Sequence, residues 1–505
     1  MQWRKLRNTQ DHSVSIRSKP NCKRICYNGS NRRTPHRRQT RPLLSVAACH
    51  FSLAVEMSQT ELKPQPDTSS VDRPSRLSPA TALVLVVSGA VGFAIMGDSL
   101  LYAILPLAAG QLALSPQQVG ILLSANRLIR LFSNTWLGAI FARFGPYRAF
   151  VISAILGVLT TVLYGFKFGF IVFLLARIGW GVSWSGLRQG TYQSIWTGDR
   201  ADAGRLMGLK WGVVRGGSAI SALIGGFLFD HFGFQTTVWT IAGLSALSIP
   251  IAFGLSWPAS ASPQHEENQA NAAADSPEAS QKQTGNVRRS EHEILAGWTE
   301  ALSEPLQRSV LLVGFFKLLL NSILVATASV FLADRFASYS GGVLLGLQVG
   351  ALAGIVLGTR WFSDLFLGAA MGALADLVGR IRLTLVLVFL LCLGLAMMLT
   401  VQDNMSFVAL LAVLIVSTGV NVVLDAYANQ AALVTHHPQM FVATYATASD
   451  LGSAVGPLFA FSLVASVGFA PVYGIAALLV VLALLYLVML DARYTKPQTP
   501  VSGGL

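Results

Sequence analysis

Charge is scarce in this sequence. Lys, Arg, Asp and Glu together make up 12% of its 505 residues, about half the share usual in soluble domains. A surface facing water on all sides needs more, so a soluble globular fold is excluded. Cysteine is nearly absent: Cys22, Cys26 and Cys49 crowd the front, and only Cys392 follows. That leaves no disulfide framework. The front cysteines with His36 and His50 do not make a zinc spacing. No Walker sequence is present, which excludes P-loop nucleotide chemistry. Catalytic groups do not cluster, and His436 and His437 fall in a predicted loop before Pro438. No catalytic residue, metal or cofactor is expected.

What the chain has instead is apolar length. Hydrophobic residues make up 53% and mean hydropathy is +0.54. They come in blocks of about twenty, the length that crosses about 30 Å of hydrocarbon at about 1.5 Å per residue. Spanning segments are predicted near 81–108, 116–141, 148–166, 169–195, 206–230 and 234–256, then near 309–333, 341–373, 382–401, 406–434, 441–467 and 470–490. We number them 1 to 12. The polar, Pro/Ala/Ser-rich stretch 257–308 between the sets is a linker. The predicted fold class is therefore an all-α membrane protein, with twelve transmembrane helices in two pseudo-symmetric six-helix bundles, 81–256 and 309–490.

Of the thirteen net positive charges, ten lie in residues 1–56, which hold twelve Lys or Arg against Asp11 and Glu56. This basic extension has three readings: upstream sequence not translated, with Met57 as the start; an acid-poor transit peptide; or a nucleic-acid-binding arm. The jump in composition at Met57 favours the first, so no nucleic-acid partner is expected. Residues 57–80 form a polar leader and 491–505 a tail. Lys and Arg collect in one set of loops (Arg143, Arg148, Arg205, Arg308, Arg380, Arg382), while the other keeps Lys167 and Arg335. By the positive-inside rule both termini and the linker are cytoplasmic, as in a multi-pass protein of a bacterial inner membrane. A monomer in the lipid bilayer is expected.

The turn after segment 8 reads GALADLVGRIR, with Gly372, Asp376, Gly379, Arg380 and Arg382. It closely resembles the loop signature of the major facilitator superfamily. A second copy stands at the matching place in the first half, with Gly138, Gly145 and Arg148, but Ala142 replaces the acid. Arg177 and Gly181 of segment 4 are similar to a motif of proton-coupled members, with Trp180 where the family has Gln. The resemblance implies a secondary transporter of a small-molecule substrate working by alternating access, with protons as coupling partner. It also implies that segments 5 and 8, and 2 and 11, meet across the two halves. The halves echo one another: eighteen residues separate Arg215 from Gly233 and Asp450 from Gly468, and Asp98 answers Asn321.

Glycines recur every four residues in segment 8 (Gly342, Gly346, Gly350, Gly354, Gly358) and at the inner end of segment 5 (Gly204, Gly208, Gly212, Gly216). Segment 11 repeats the device with Ala448, Gly452, Gly456 and Ala460. Small stripes let helix backbones approach in lipid, so these are expected to be sliding surfaces between halves. Charges inside spans are functional by default. Matched depth and opposite sign predict three gating pairs: Arg130–Asp450, Arg188–Asp425 and Arg215–Asp364. That leaves Arg127, Arg177, Lys317 and Arg360 as free cations. Asp98, past the membrane middle, is either a proton carrier or a partner of Arg127. Trp180, Trp184 and Tyr192 make an aromatic wall, and Trp196 is an interface anchor. The expected substrate or proton pathway is Asp98, Arg127, Arg177, Trp180, Trp184, Lys317, Asn321 and Arg360. Drug-like molecule, metabolite and organic anion all remain open, as does a transporter-shaped receptor.

Overall fold

The helices begin where the sequence supplies a cap. Ser78 accepts from the amide of Thr81 at 3.2 Å and Pro79 opens the first helix; Ser115 and Gln118 form a reciprocal capping box ahead of Pro116. Each device satisfies amides that the first turn leaves without partners. The computed structural model describes residues 77–199, 202–257, 302–336, 346–401, 404–436 and 438–494. The basic extension, most of the leader, most of the linker and the end of the tail lie outside the described residues.

The described residues are helical, with elements α1 (Pro79–Ala94), α2 (Met96–Ala108), α3 (Pro116–Leu128), α4 (Arg130–Phe144), α5 (Pro146–Gly165), α6 (Phe170–Trp196), α7 (Ala203–Ala246) and α8 (Ser248–Phe253). After the linker come α9 (Pro305–Phe336), α10 (Val349–Val378), α11 (Arg380–Thr400), α12 (Asn404–Ala432), α13 (Pro438–Val467) and α14 (Phe469–Tyr494). Ten helical runs among them are long and apolar enough to cross a membrane. The α3–α4 run is not one of the ten: it carries Asn126, Arg127, Arg130 and Asn134, and it breaks at Ile129. Conversely, one of the ten, Ala203–Phe253, has 51 residues, more than twice what a bilayer needs. It is interrupted at Gly233, where φ is 73°. Gly468 has φ 79° at the matching place before α14, and a side chain at either position would be strained. The internal repeat seen in the sequence is thus a repeat of backbone shape.

Large apolar side chains such as Ile171, Phe389 and Leu478 stand exposed on the outside, where a bilayer covers them. Inside, α9 packs along α13, α7 along α10, α3 along α13 and α2 along α7. These elements are far apart in sequence, and they surround the centre of the bundle.

The glycine stripes pack differently from the expectation. Those of α10 do face α7, but they meet its later stretch: a Cβ on Gly226 would collide with the Gly350 carbonyl, and one on Gly354 with the Ala222 carbonyl. Gly204, Gly208 and Gly216 have open space where a Cβ would go. Gly342 lies outside the described residues. In α13, Gly452 and Gly456 press on Phe315 and Leu319 of α9 rather than on α3. Instead Gly120 of α3 meets the Pro457 carbonyl and Phe461. Sequence spacing identifies a smooth face and leaves open which neighbour uses it.

Candidate functional site

Polar residues from eight elements converge on a central cavity of about 260 Å3. Its walls include Asp98 and Tyr102 of α2, Asn126 and Arg127 of α3, Arg130 at the head of α4, and Trp180, Trp184 and Arg188 of α6. Trp211 and Arg215 of α7, Asn321 of α9, Arg360 and Trp361 of α10, and Asp450 of α13 complete it. The volume is a little below the roughly 300–1,000 Å3 typical of small-molecule sites.

Asp98 is neither lone nor paired with Arg127. Its Oδ1 accepts from an amino group of Arg177, a fully buried guanidinium whose Nε donates to the Leu122 carbonyl at 2.9 Å. Asn126 Nδ2 donates to the same Asp98 oxygen at 2.9 Å. Arg177 therefore bridges α2, α3 and α6, and it is not a free cation. Removing either member of such a buried pair would leave the other uncompensated.

Arg215 Nε and Asp364 Oδ2 are 3.1 Å apart, joining α7 to α10. The other two expected pairs do not form. Asp450 lies 3.8 Å from Arg188, while Arg130 turns back along its own chain to the Asn126 carbonyl at 3.1 Å. Asp425 is held by Lys317 and by the Tyr445 hydroxyl, 2.8 Å away; Lys317 also donates to the Asn421 carbonyl at 3.1 Å. So Lys317 is not a free cation either, and it does not line the cavity. Matched depth fixes a residue's height but leaves its direction around the helix open, and direction decided these partners.

Arg127 donates to the Ser453 carbonyl at 2.7 Å and lies over the Tyr102 ring, 5.2 Å from its centre. Arg360 donates to Asn321 Oδ1 at 3.2 Å, and Ser417 shares that acceptor at 3.3 Å. Arg127, Arg130 and Arg360 thus have only neutral acceptors, with no carboxylate within 4.0 Å among the described residues. Trp180 is buried against Gly157, with Trp184 behind it at 6.4 Å between ring centres. Tyr192 also faces the cavity and carries the Lys210 ammonium 3.8 Å from its ring centre. Trp196 is exposed.

The two loop signatures share a shape: Gly145 (φ 79°) joins α4 to α5, and Gly379 (φ 94°) joins α10 to α11. Around the second, Arg380 lies 3.8 Å from Asp376 and donates to Gln430 at 2.6 Å. Arg382 lies beside it at the start of α11, and Arg148 holds the corresponding place in α5 after Gly138.

The sequence pattern of the major facilitator superfamily matches residues 87–438, the larger part of the chain. The chain belongs to the major facilitator superfamily. Its structure is similar to that of a bacterial homologue of the human lysosomal transporter Spinster in an inward-facing, unoccupied conformation. That likeness has 15% identity and a TM-score of 0.57, covering 83% of this chain and 97% of that one. The nucleoside transporter NupG is also similar at 12% identity: TM-score 0.61 over 83% of this chain and all of NupG, and 0.63 over 81% and 99% for a point mutant. No curated protein matches the chain. Superfamily membership makes the protein an integral multi-pass membrane transporter rather than an enzyme, handling a small molecule within a lipid bilayer.

Sequence reasoning passed over several residues that the superfamily fold brings to the site. Asn126, Tyr102, Trp211 and Trp361 line the cavity, and each is a polar or aromatic residue within four positions of a charge already singled out. Asp230 was also missed. Its carboxylate accepts from the amides of Gly350 and Ala351 at 2.9 and 2.6 Å, capping α10 from α7. Its signal was an acid three residues before a repeat glycine.

Proposed function

We propose that this superfamily member is a secondary active carrier of a small organic solute, working by alternating access and coupled to protons. The observation that carries the reading is a charged, aromatic-lined cavity at the centre of an apolar bundle, tightly packed towards one end and loose towards the other. At the packed end Gly226 meets Gly350, Gly120 meets Pro457, and Asp230 caps α10. At the other, Gly204, Gly208 and Gly216 face open space and α4 barely touches α13. Twelve crossings in two six-helix bundles accommodate this: α1 with α2 is the first, α3 with α4 the second, and the break at Gly233 divides α7 into the fifth and sixth. The loose end then carries Arg143, Arg148, Arg380 and Arg382, so it faces the cytoplasm with both termini.

In this reading the Asp98–Arg177 pair is the proton-coupling element. Protonation of Asp98 removes the charge that holds Arg177, which loosens α2 from α6, and Asn126 transmits the change to α3. Arg188–Asp450 and Arg215–Asp364 are breakable links at the loose end of the cavity, each between one half and the other. They are already in place while the packed end is closed, so they act as cavity walls as well as gates.

The test is transport by the purified chain in proteoliposomes offered organic acids, nucleosides and organic amines under an imposed pH gradient. At least one class should accumulate, a protonophore should abolish the accumulation, and Asp98→Asn should retain exchange without accumulation. Equal accumulation with and without the gradient, or no transport of any class, would contradict it.

A further inference from the structure

We infer that the transported solute is an organic anion, a carboxylate or phosphate on an aromatic or apolar body, whose acidic group is held between Arg127, Arg130 and Arg360. The inference rests on the carrier reading and names its substrate class. Charge on the cavity wall is the first ground. Five arginines line it against two aspartates. Asp98 is engaged by Arg177, Asp450 lies beside Arg188, and Arg215 is matched by Asp364. The three guanidiniums left over have only neutral oxygen acceptors. Charged side chains inside a spanning bundle pair with one another or with backbone carbonyls, face the interior or a water-filled cavity, and mark substrate or ion pathways.

The second ground is donor geometry. Arg360 is buried, 7% exposed, with one amino group on Asn321 and its Nε without any hydrogen-bond partner. A guanidinium presents its donors as a planar fork that fits a carboxylate or phosphate two-pronged. Asn321 accepts from both Arg360 and Ser417, which fixes the side chain that offers the free Nε. Arg360 lies within electrostatic range of Asp364 as well as of Arg215 and Arg127, and Arg130 within range of Asp450 as well as of Arg127 and Arg188. The two carboxylates offset part of that field, and the excess of arginines over aspartates on the wall leaves the small volume net positive.

The third ground is the rest of the lining. Tyr102, Trp180, Trp184, Tyr192, Trp211 and Trp361 supply flat apolar surface around that charge. A solute that is only an inorganic anion would leave it unused, and an organic cation would meet an excess of positive charge. This combination selects an acidic group with a compact body attached.

The experiment is ligand-induced thermal stabilisation of the full chain in phosphatidylcholine nanodiscs, which present no net anionic headgroup. Benzoate, 2-naphthoate, phenyl phosphate and 2-naphthyl phosphate are compared with 2-naphthamide and 2-naphthylmethylamine. At least one organic anion should stabilise the protein while the amide and the amine do not, and Arg360→Gln should weaken that anion's binding by tenfold or more. Arg360→Lys, which keeps charge without the fork, should fall between, and Arg205→Gln, exposed and remote from the cavity, should bind as the parent does. No stabilisation by any of the four anions, equal stabilisation by the amide or the amine, or unchanged binding in Arg360→Gln overturns the inference. Stabilisation by anionic lipid alone, with none by the four anions, also overturns it in favour of a headgroup site. Proteoliposome flux separates the two levels. An anion that binds through Arg360 but is not moved defeats the carrier reading alone, whereas gradient-driven movement of the amine defeats this inference alone.

Discussion

Arg177 is held by Asp98 of α2 and by the Leu122 carbonyl of α3, and a guanidinium so placed cannot be removed without consequence. Its loss leaves Asp98 with only Asn126 as a donor in a buried setting, and breaking one side of such a pair costs about 3–5 kcal/mol. Arg177→Gln should lower the unfolding midpoint by several degrees in a thermal scan, and the double variant with Asp98→Asn should recover part of the loss. The Arg188–Asp450 pair sets the contrast. It is 3.8 Å long and 27% exposed on each side, so Asp450→Asn should cost no more than about 1 kcal/mol. At this scale the sequence showed which residues matter and hid their partners. Arg177 and Asp98 stood out as charges inside apolar runs. That they bond to each other depends on α2 and α6 presenting those faces across α3, and no spacing along the chain encodes that contact.

Between elements, the decisive contact is backbone against backbone along α7 and α10. Gly226, Gly350 and Gly354 allow the approach, and the Asp230 carboxylate takes up two amides that begin α10. Gly226→Leu should hold this end apart and sharply reduce transport while leaving membrane insertion intact. Gly208→Leu, where the space is open, should be tolerated in the conformation described. A flux assay beside a surface-expression assay reads both. Asp230→Ala removes a cap and should cost about 0.5–2 kcal/mol, seen as faster labelling of a cysteine placed at Gln348. The stripe in α10 was legible from its four-residue period alone. The stretch of α7 that meets it was not, because Ala219, Ala222 and Gly226 are less regular than the glycines at Gly204 to Gly216. Regularity was the signal read, while proximity depends on how the helices cross. The same limit applies to α3–α4, where the polar residues that line the cavity also dilute the apolar pattern.

For the whole molecule the account reduces to one claim: two ends of the bundle open in turn around the central cavity. The all-helical membrane class, most of the apolar runs and the loop signatures were plain in the sequence because hydropathy and glycine placement act locally. The packing of one end was invisible, since it arises from contacts between residues more than a hundred positions apart. Spin-label distances at both ends test the claim most directly. In a cysteine-free background, one pair is placed at Gln117 and Ser466, at the packed end, and another at Ala142 and Ala443, at the loose end. The distances are then measured in nanodiscs at high and low pH, with and without an anion that binds. The account predicts a short, narrow 117–466 distance and a longer 142–443 distance in the conformation described, with proton or solute raising a population in which the first lengthens as the second shortens. Both distances changing in the same direction, or neither changing under any condition, would contradict it.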